Sequence, residues 1–374
     1  MRWWLFITLA ACGPLTPPKT DAGTGGGGGG IIVTAGGGGG GSTGGGGGGT
    51  VTGGGGGSVT GGGGGTPDGG DGVWDFAIMT LSPAPTNSGA IVGFAETDAG
   101  IYAMSGGGHL YRSTGGPFVE LLSFPGLQPL DFEGTASGHF FVVTTVHFLE
   151  CASNCADAGS WSDQRIAAFD EVLDSLCVIA DDHVLAVGSK GGANDGVSYR
   201  WNGTTLAANP VSLGAVGPDN CWKGASGDFF IPADDTVVRY SPGPESFALE
   251  PTAAMPSWRG GGSSPGHEWV TGSGPIIAER AAGSWTNVYT PSGTSGSITA
   301  VIGISPTLAF GFGGGFSSSG QAGYRFDGTR WAEMTPDLPV INVTFSAFRA
   351  SNGVVYVGGY DSNQYPVIIR GARR

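Results

Sequence analysis

The sequence predicts an all-β domain built from seven repeats of one four-stranded unit, and three observations lead there. A hydrophobic strand flanked by glycine or polar residues recurs as GIYAMSG, GHFFVVT, HVLAVGS, GDFFIPA, HEWVTGS, TLAFGFG and VVYVGGY. Its third residue falls at Tyr102, Phe140, Leu185, Phe229, Trp269, Ala309 and Tyr356, a mean step of about 42 residues. Behind most of these strands stands a hairpin signal, and no run of helical period has any length.

The hairpin signals read YRSTGGPF, YRWNGTTL, VRYSPGPESF, AERAAGSW and YRFDGTRW. Each is a strand, a tight turn rich in Gly, Asn, Asp or Pro, and a strand opened by a large apolar residue. Unit two keeps the frame as CADAGSW, with Cys155 six residues before Trp161 as Arg112 is six before Phe118. A further apolar stretch, such as AIVGFAE, SLCVIAD, SITAVIG or NVTFSAF, precedes each pair. Four short strands of period-2 alternation per unit describe the blades of a β-propeller.

The seventh unit ends with its third strand, PVIIRGARR, at the C-terminus, while Val73 to Leu81 is an orphan strand before the first complete unit. Pairing of Trp74–Leu81 with Pro366–Arg370 closes the ring and buries Trp74, Phe76 and Ile78, or the alternate face. Residues 73–374 thus resemble a seven-bladed β-propeller. Within that superfamily, STGGPF and CADAGSW are similar to the Asp-box turns of sialidase-like propellers, and YRFDGTRW to the turns of kelch-like and other bacterial secreted propellers. None of these likenesses carries a function.

The chain opens with Arg2 as a minimal positive region, an apolar run from Trp3 to Leu9, then Ala10, Ala11 and Cys12. Leu-Ala-Ala-Cys resembles a bacterial lipobox, which implies a signal peptide over 1–11 and acylation of Cys12. The run is too short for a spanning helix of roughly 20 residues, so attachment to the membrane is through the lipid anchor alone. The lipoprotein resemblance also implies that Gly13, standing where an aspartate favours the inner membrane, directs the protein to the outer one. From Gly23 to Gly72, glycine blocks are broken by short insertions such as Ile31–Thr34, Thr50–Thr52 and Ser58–Thr60. Such blocks bury no side chains, and residues 12–72 are expected to be a disordered tether reaching on the order of 45 Å. No Gly-Lys-Ser/Thr follows them, which excludes a phosphate loop.

The net charge is −14, with only Lys19, Lys190 and Lys223 as lysines and no basic run. Nucleic acid and direct adhesion to anionic lipid are excluded on that ground. Beyond Cys12 four cysteines remain, an even number in an exported chain, which argues for two disulfides. Cys177 and Cys221 each stand eight residues before the second-strand marker of their unit, on innermost strands of neighbouring blades, and are expected to pair. Cys151 and Cys155 then close a small loop. A four-thiolate zinc site is the alternative, and export argues against it.

Several motifs have bland readings that outweigh their chemical ones. Arg112, Arg200, Arg239, Arg280, Arg325 and Arg370 repeat on third strands away from the axis, which fits packing or surface pairing better than a carboxylate grip. Gly262-Ser-Ser-Pro-Gly266 spells a hydrolase elbow but lies between two strands without a following helix. His267-Glu268 begins a zinc-like string that Thr271 breaks; His109, His139, His147 and His183 look isolated. Asp181-Asp182 and Asp234-Asp235 read as turn caps, with a surface calcium site as the lesser reading. No metal and no cofactor is expected.

Ligands are expected at the axis, on the face carrying the loops between second and third strands. Three of these loops are long, Ser189–Gly196, Gly313–Gly323 and Gly359–Tyr365, and offer Asn194, Asp195, Gln321, Tyr360, Asp361, Asn363 and Tyr365. The function that emerges is an envelope lipoprotein displaying a non-enzymatic module for a protein or glycan ligand. The alternative is a glycan hydrolase or lyase, which needs paired carboxylates about 5 to 9.5 Å apart at the axial mouth.

Overall fold

A computed structural model describes residues 72–374 except 86–88, 167–169, 192–194, 210–212, 214–219, 234–235, 253–256, 275, 291–295, 315–320, 335–337, 340–342 and 352. The leader, Cys12 and the tether to residue 71 therefore lie outside the described residues, as do Asn194 and Asp234-Asp235.

The chain enters on β1 (Trp74–Met79) and β2 (Leu81–Ser82). The first blade is β3 (Ile91–Thr97), β4 (Gly100–Ser105), β5 (His109–Ser113) and β6 (Phe118–Ser123). The second is β7 (Asp131–Gly134), β8 (Phe140–Val143), β9 (His147–Cys151) and β10 (Ser162–Arg165), and the third β11 (Glu171–Ala180), β12 (His183–Lys190), β13 (Asp195–Trp201) and β14 (Leu206–Ala208). The fourth is β15 (Trp222–Lys223), β16 (Phe229–Pro232), β17 (Val237–Ser241) and β18 (Ser246–Glu250). The fifth follows as β19 (Trp258–Ser264), β20 (His267–Gly272), β21 (Ile276–Ala281) and β22 (Ser284–Tyr289), the sixth as β23 (Ser297–Ser305), β24 (Leu308–Gly314), β25 (Gln321–Phe326) and β26 (Trp331–Glu333). Last come β27 (Val343–Ser351), β28 (Val354–Asp361) and β29 (Pro366–Arg373), whose sheet runs β1-β29-β28-β27.

Each blade is an antiparallel meander, and among the described residues a hydrophobic cluster joins each blade to the next. Tyr102 and Met104 pack on Phe132 and Phe140, Phe148 on Trp201, Leu185 on Phe229, Phe230 on Trp258, and Trp269 on Tyr324. The last two clusters join Phe312 to Val357 and Phe94 to Tyr356, the latter returning from the end of the chain to its beginning. Because a blade is covered on both faces, the alternation expected of its strands fails in the middle ones. Phe140–Val143, Phe229–Pro232 and Leu308–Gly314 are buried at every position.

Closure occurs through β1, with Trp74 opposite Arg373 and Met79 opposite Ile368. The partner stretch thus lies nearer the C-terminus than Pro366–Arg370. Trp74 and Phe76 meet Phe310 edge to face at centroid distances of 5.0 and 5.7 Å. Ile78, expected inside, is instead 50% exposed although it still pairs with Ile369, while Met79 packs into the cluster between the seventh and first blades. β2 then runs parallel to β6, with Leu81 opposite Phe118.

Two further expectations are corrected. In the second blade Cys151, not Cys155, takes the place of Arg112: the marker Phe140 faces Cys151 as Tyr102 faces Arg112. A longer loop containing a 3-10 turn (Ala158–Ser160) shifts the sequence frame there. Nor are the histidines isolated. His109 lies 3.1 Å from Glu120, His147 2.9 Å from Asp163 and His267 2.5 Å from Glu279; His139 bonds Glu150, and His183 bonds the Tyr240 hydroxyl at 2.9 Å. Separation along the chain hid these partners, which the sheets bring together.

Three of the six third-strand arginines pair with carboxylates among the described residues: Arg200 with Glu245 at 2.9 Å, Arg239 with Glu250 at 3.4 Å, and Arg280. Arg280 grips Glu250 through two bonds of 2.7 Å, reaches Glu268 at 2.9 Å and lies 5.2 Å over the Phe230 ring. His267-Glu268 is on a strand, as its broken motif implies.

Asp181 is more than a turn cap. It accepts hydrogen bonds from the Thr135 and Ser137 hydroxyls of the preceding blade, and the Thr135 bond is the largest influence holding its carboxyl below the ordinary value. A carboxyl depressed in the folded state stabilises it above the unfolded value of about 3.9 and loses that contribution as pH falls through the folded value. With the side chain half exposed the effect is about 0.5 kcal/mol, so Asp181→Asn should be less stable than wild type at neutral pH and converge with it in acid, as the pH falls through the folded-state value, in denaturant titrations.

Closure is checked by trimming. A chain beginning at Gly72 should melt at the temperature of the full chain in calorimetry. One beginning at Gly89, without β1 and β2, should melt lower or lose cooperativity, since it leaves the β29 edge unpaired and Phe310 uncovered.

Candidate functional site: the axial cavity

The first strands of the blades converge on the axis and enclose a cavity of about 430 Å³. How closely they approach is set by glycine. A Cβ at Gly260 would sit 1.8 Å from the Thr299 carbonyl oxygen, and one at Gly262 would sit 1.9 Å from that of Val301. The apparent hydrolase elbow therefore has a packing role: Gly262 lets β19 lie against β23, and Ser264 is 3% exposed within the strand that leads by a turn into β20.

The charged side chains on the cavity wall are Asp131, Glu133 and Lys223, with Asn220, Trp222 and Ser263 beside Lys223. Asp131 accepts the Phe132 amide at 2.7 Å on one oxygen, and on the other the Ser175 hydroxyl at 2.9 Å and the Leu176 amide at 2.8 Å. Glu133 accepts the Val178 amide at 3.3 Å. Ser175 in turn accepts the Cys221 amide at 3.2 Å, so one relay runs over three blades. The Cys177–Cys221 disulfide crosses the same seam and is part of the wall, with Cα atoms 5.4 Å apart. Cys151–Cys155 is also formed. Both carboxylates thus act first as acceptors for the amides of β11. Lys223 has no ion-pair partner among the described residues, which leaves its ammonium available to a ligand.

Among the described residues, none of the ligand residues proposed from the sequence lines this cavity, and Asn194 lies outside the described residues. Tyr360, Asp361, Asn363 and Tyr365 share one hairpin turn of the seventh blade, where the Asp361 carboxylate accepts the amides of Asn363 and Tyr365 at 2.9 Å each. The loops are shorter than expected, because Ser189 pairs with Gly196 and Tyr360 with Pro366 inside the ladders. Asp195 stands on the third blade opposite Lys190, and Gln321 opens β25 opposite Gly314 on the sixth. The axial carboxylates escaped the sequence reading, although the eight-residue offset that found Cys177 and Cys221 also marks Phe132, between Asp131 and Glu133, from Phe140.

No family model matches this chain, and no curated protein does. Solved structures do, at the level of fold. The complex described as YCF48 bound to D1 peptide aligns with a TM-score of 0.59 at 13% identity, over 80% of this chain and 97% of that one. The RRP9 WD40 repeats give 0.59 at 11% over 80% and 98%. The extracellular domain of the putative one component system BT4673 from B. thetaiotaomicron gives 0.57 at 12% identity over 79% of this chain, which spans only 39% of that one. The fold is a β-propeller.

The disulfide yields a stability prediction. Replacing Cys177 and Cys221 by serine opens a loop of sequence separation 44 and should cost about 4 kcal/mol in urea denaturation, with the transition still at lower denaturant if only one is replaced.

Proposed function

We propose that this protein is an exported, lipid-anchored binding module that holds a protein segment or glycan at the propeller axis. The observation that carries this reading is the axial cavity, where Lys223 is presented while Asp131 and Glu133 are engaged by backbone amides and Asn220 donates to the Arg259 carbonyl. Carboxylates committed to amides are poorly disposed to give and take protons, which favours binding over glycan hydrolysis or lysis. The two disulfides support an oxidising compartment, and the lipobox-like Cys12 and glycine tract support a tether that lifts the domain off an outer-membrane surface. Peptide bound to a propeller of similar fold makes a polypeptide segment a reasonable ligand class.

Peptide and glycan arrays probed with the full chain should give hits that Lys223→Glu weakens by about tenfold or more. Hits indifferent to Lys223→Glu would move the site elsewhere, and turnover of an oligosaccharide that Asp131→Asn abolishes would favour the hydrolase. For the anchor, radiolabelled palmitate should enter the wild type and not Cys12→Ser; equal labelling would remove the lipid.

A further inference from the structure

A second cleft, of about 460 Å³, lies between the first and second blades on the face opposite the second-to-third-strand turns. Its walls include Tyr102 and Arg112, which face each other directly in the β4–β5 ladder and so project on the same side of the sheet. Tyr102 rests against Phe140 at a centroid distance of 4.6 Å, which fixes its ring. Neither the Arg112 guanidinium nor the Tyr102 hydroxyl has a hydrogen-bond or ion-pair partner among the described residues.

The third blade shows what is missing. Arg200 faces the marker Leu185 as Arg112 faces Tyr102, and the third-to-fourth-strand loop of the following blade supplies Glu245, in the left-handed region at φ 51°, to pair with it at 2.9 Å. The corresponding loop after Arg112 is residues 152–161; its one acid, Asp157, accepts the Gly159 amide at 3.0 Å and makes no ion pair with Arg112. At its turn Asn154 has φ 54°, and the Cys151–Cys155 disulfide holds the loop in place. Asp98, the acidic residue of the lining, stands on the exposed turn after β3 and makes no ion pair with Arg112.

We propose that this cleft binds a small carboxylate-bearing ligand with a flat apolar body. Arg112 and the Tyr102 hydroxyl donate to the carboxylate, in the position Glu245 fills for Arg200. The body lies against Leu121 and the Tyr102 ring at the cleft wall. A guanidinium beside a phenol suits the planar, two-oxygen geometry of a carboxylate, and a half-enclosed cleft strengthens the contact.

Benzoate serves as the probe and benzamide, its neutral isostere, as the control, titrated into the full chain by calorimetry. Benzoate should bind saturably at millimolar concentration, and benzamide at least about tenfold more weakly. Arg112→Gln should weaken benzoate by a similar factor. Asn154→Glu keeps Arg112, accepts the backbone angle that Glu245 already adopts, and should weaken it equally by supplying an internal carboxylate. Absence of saturable benzoate binding, equal binding of benzamide, or undiminished binding by either folded variant would overturn the site.

Discussion

The structure depends on a single antiparallel pairing, that of Trp74–Met79 with Ile368–Arg373. A meander of four strands cannot bury both its faces alone; each blade here is covered only because another stands on either side. Without β1 the seventh blade would present an open edge, and Phe310 and Phe312 would lose the cover of Trp74 and Phe76. The Phe94–Tyr356 contact across the seam requires that the first and last blades be neighbours, so the closing strand supports a cluster it scarcely touches. Cooperativity of the ring follows from this arrangement.

Closure also dictates what happens at the axis. Once the first strands are drawn together, backbone meets backbone, and positions such as Gly260 and Gly262 admit no side chain. Polar groups left over at this crowding must find partners across blades. Asp131 and Glu133 accept the amides of β11, Ser175 joins Asp131 to Cys221, and the Cys177–Cys221 disulfide ties the same seam covalently. The cavity that remains is thus a rigid one, with Lys223 as its uncommitted charge. Away from the axis the same rule governs charge: Arg280 with Glu250 and Glu268, Arg200 with Glu245, and four histidines with carboxylates all pair within or between blades. Arg112, Arg325 and Arg370 depart from that rule among the described residues, and of the three Arg112 lines the cleft between the first and second blades.

Repetition made much of this legible from residue order alone. The recurring strand with its marker at Tyr102, Phe140, Leu185 and onward, the Gly-bearing turns such as Asn202-Gly203, and the orphan strand before the first unit identified the propeller and its means of closure, because strand length, turn chemistry and period are local properties of the chain. Equal offsets from the markers were enough to pair Cys177 with Cys221. What depends on contacts between blades was not readable: that Ile78 points to solvent, that His139 meets Glu150, or that Cys151 rather than Cys155 occupies the place of Arg112. Residue order likewise determined an acidic, repeat-built β chain with two disulfides. Only the tertiary structure decided which charges face the axis and which arginines find a partner, because those are distances between strands some 40 or more residues apart, set by how the blades pack rather than by what any one of them contains.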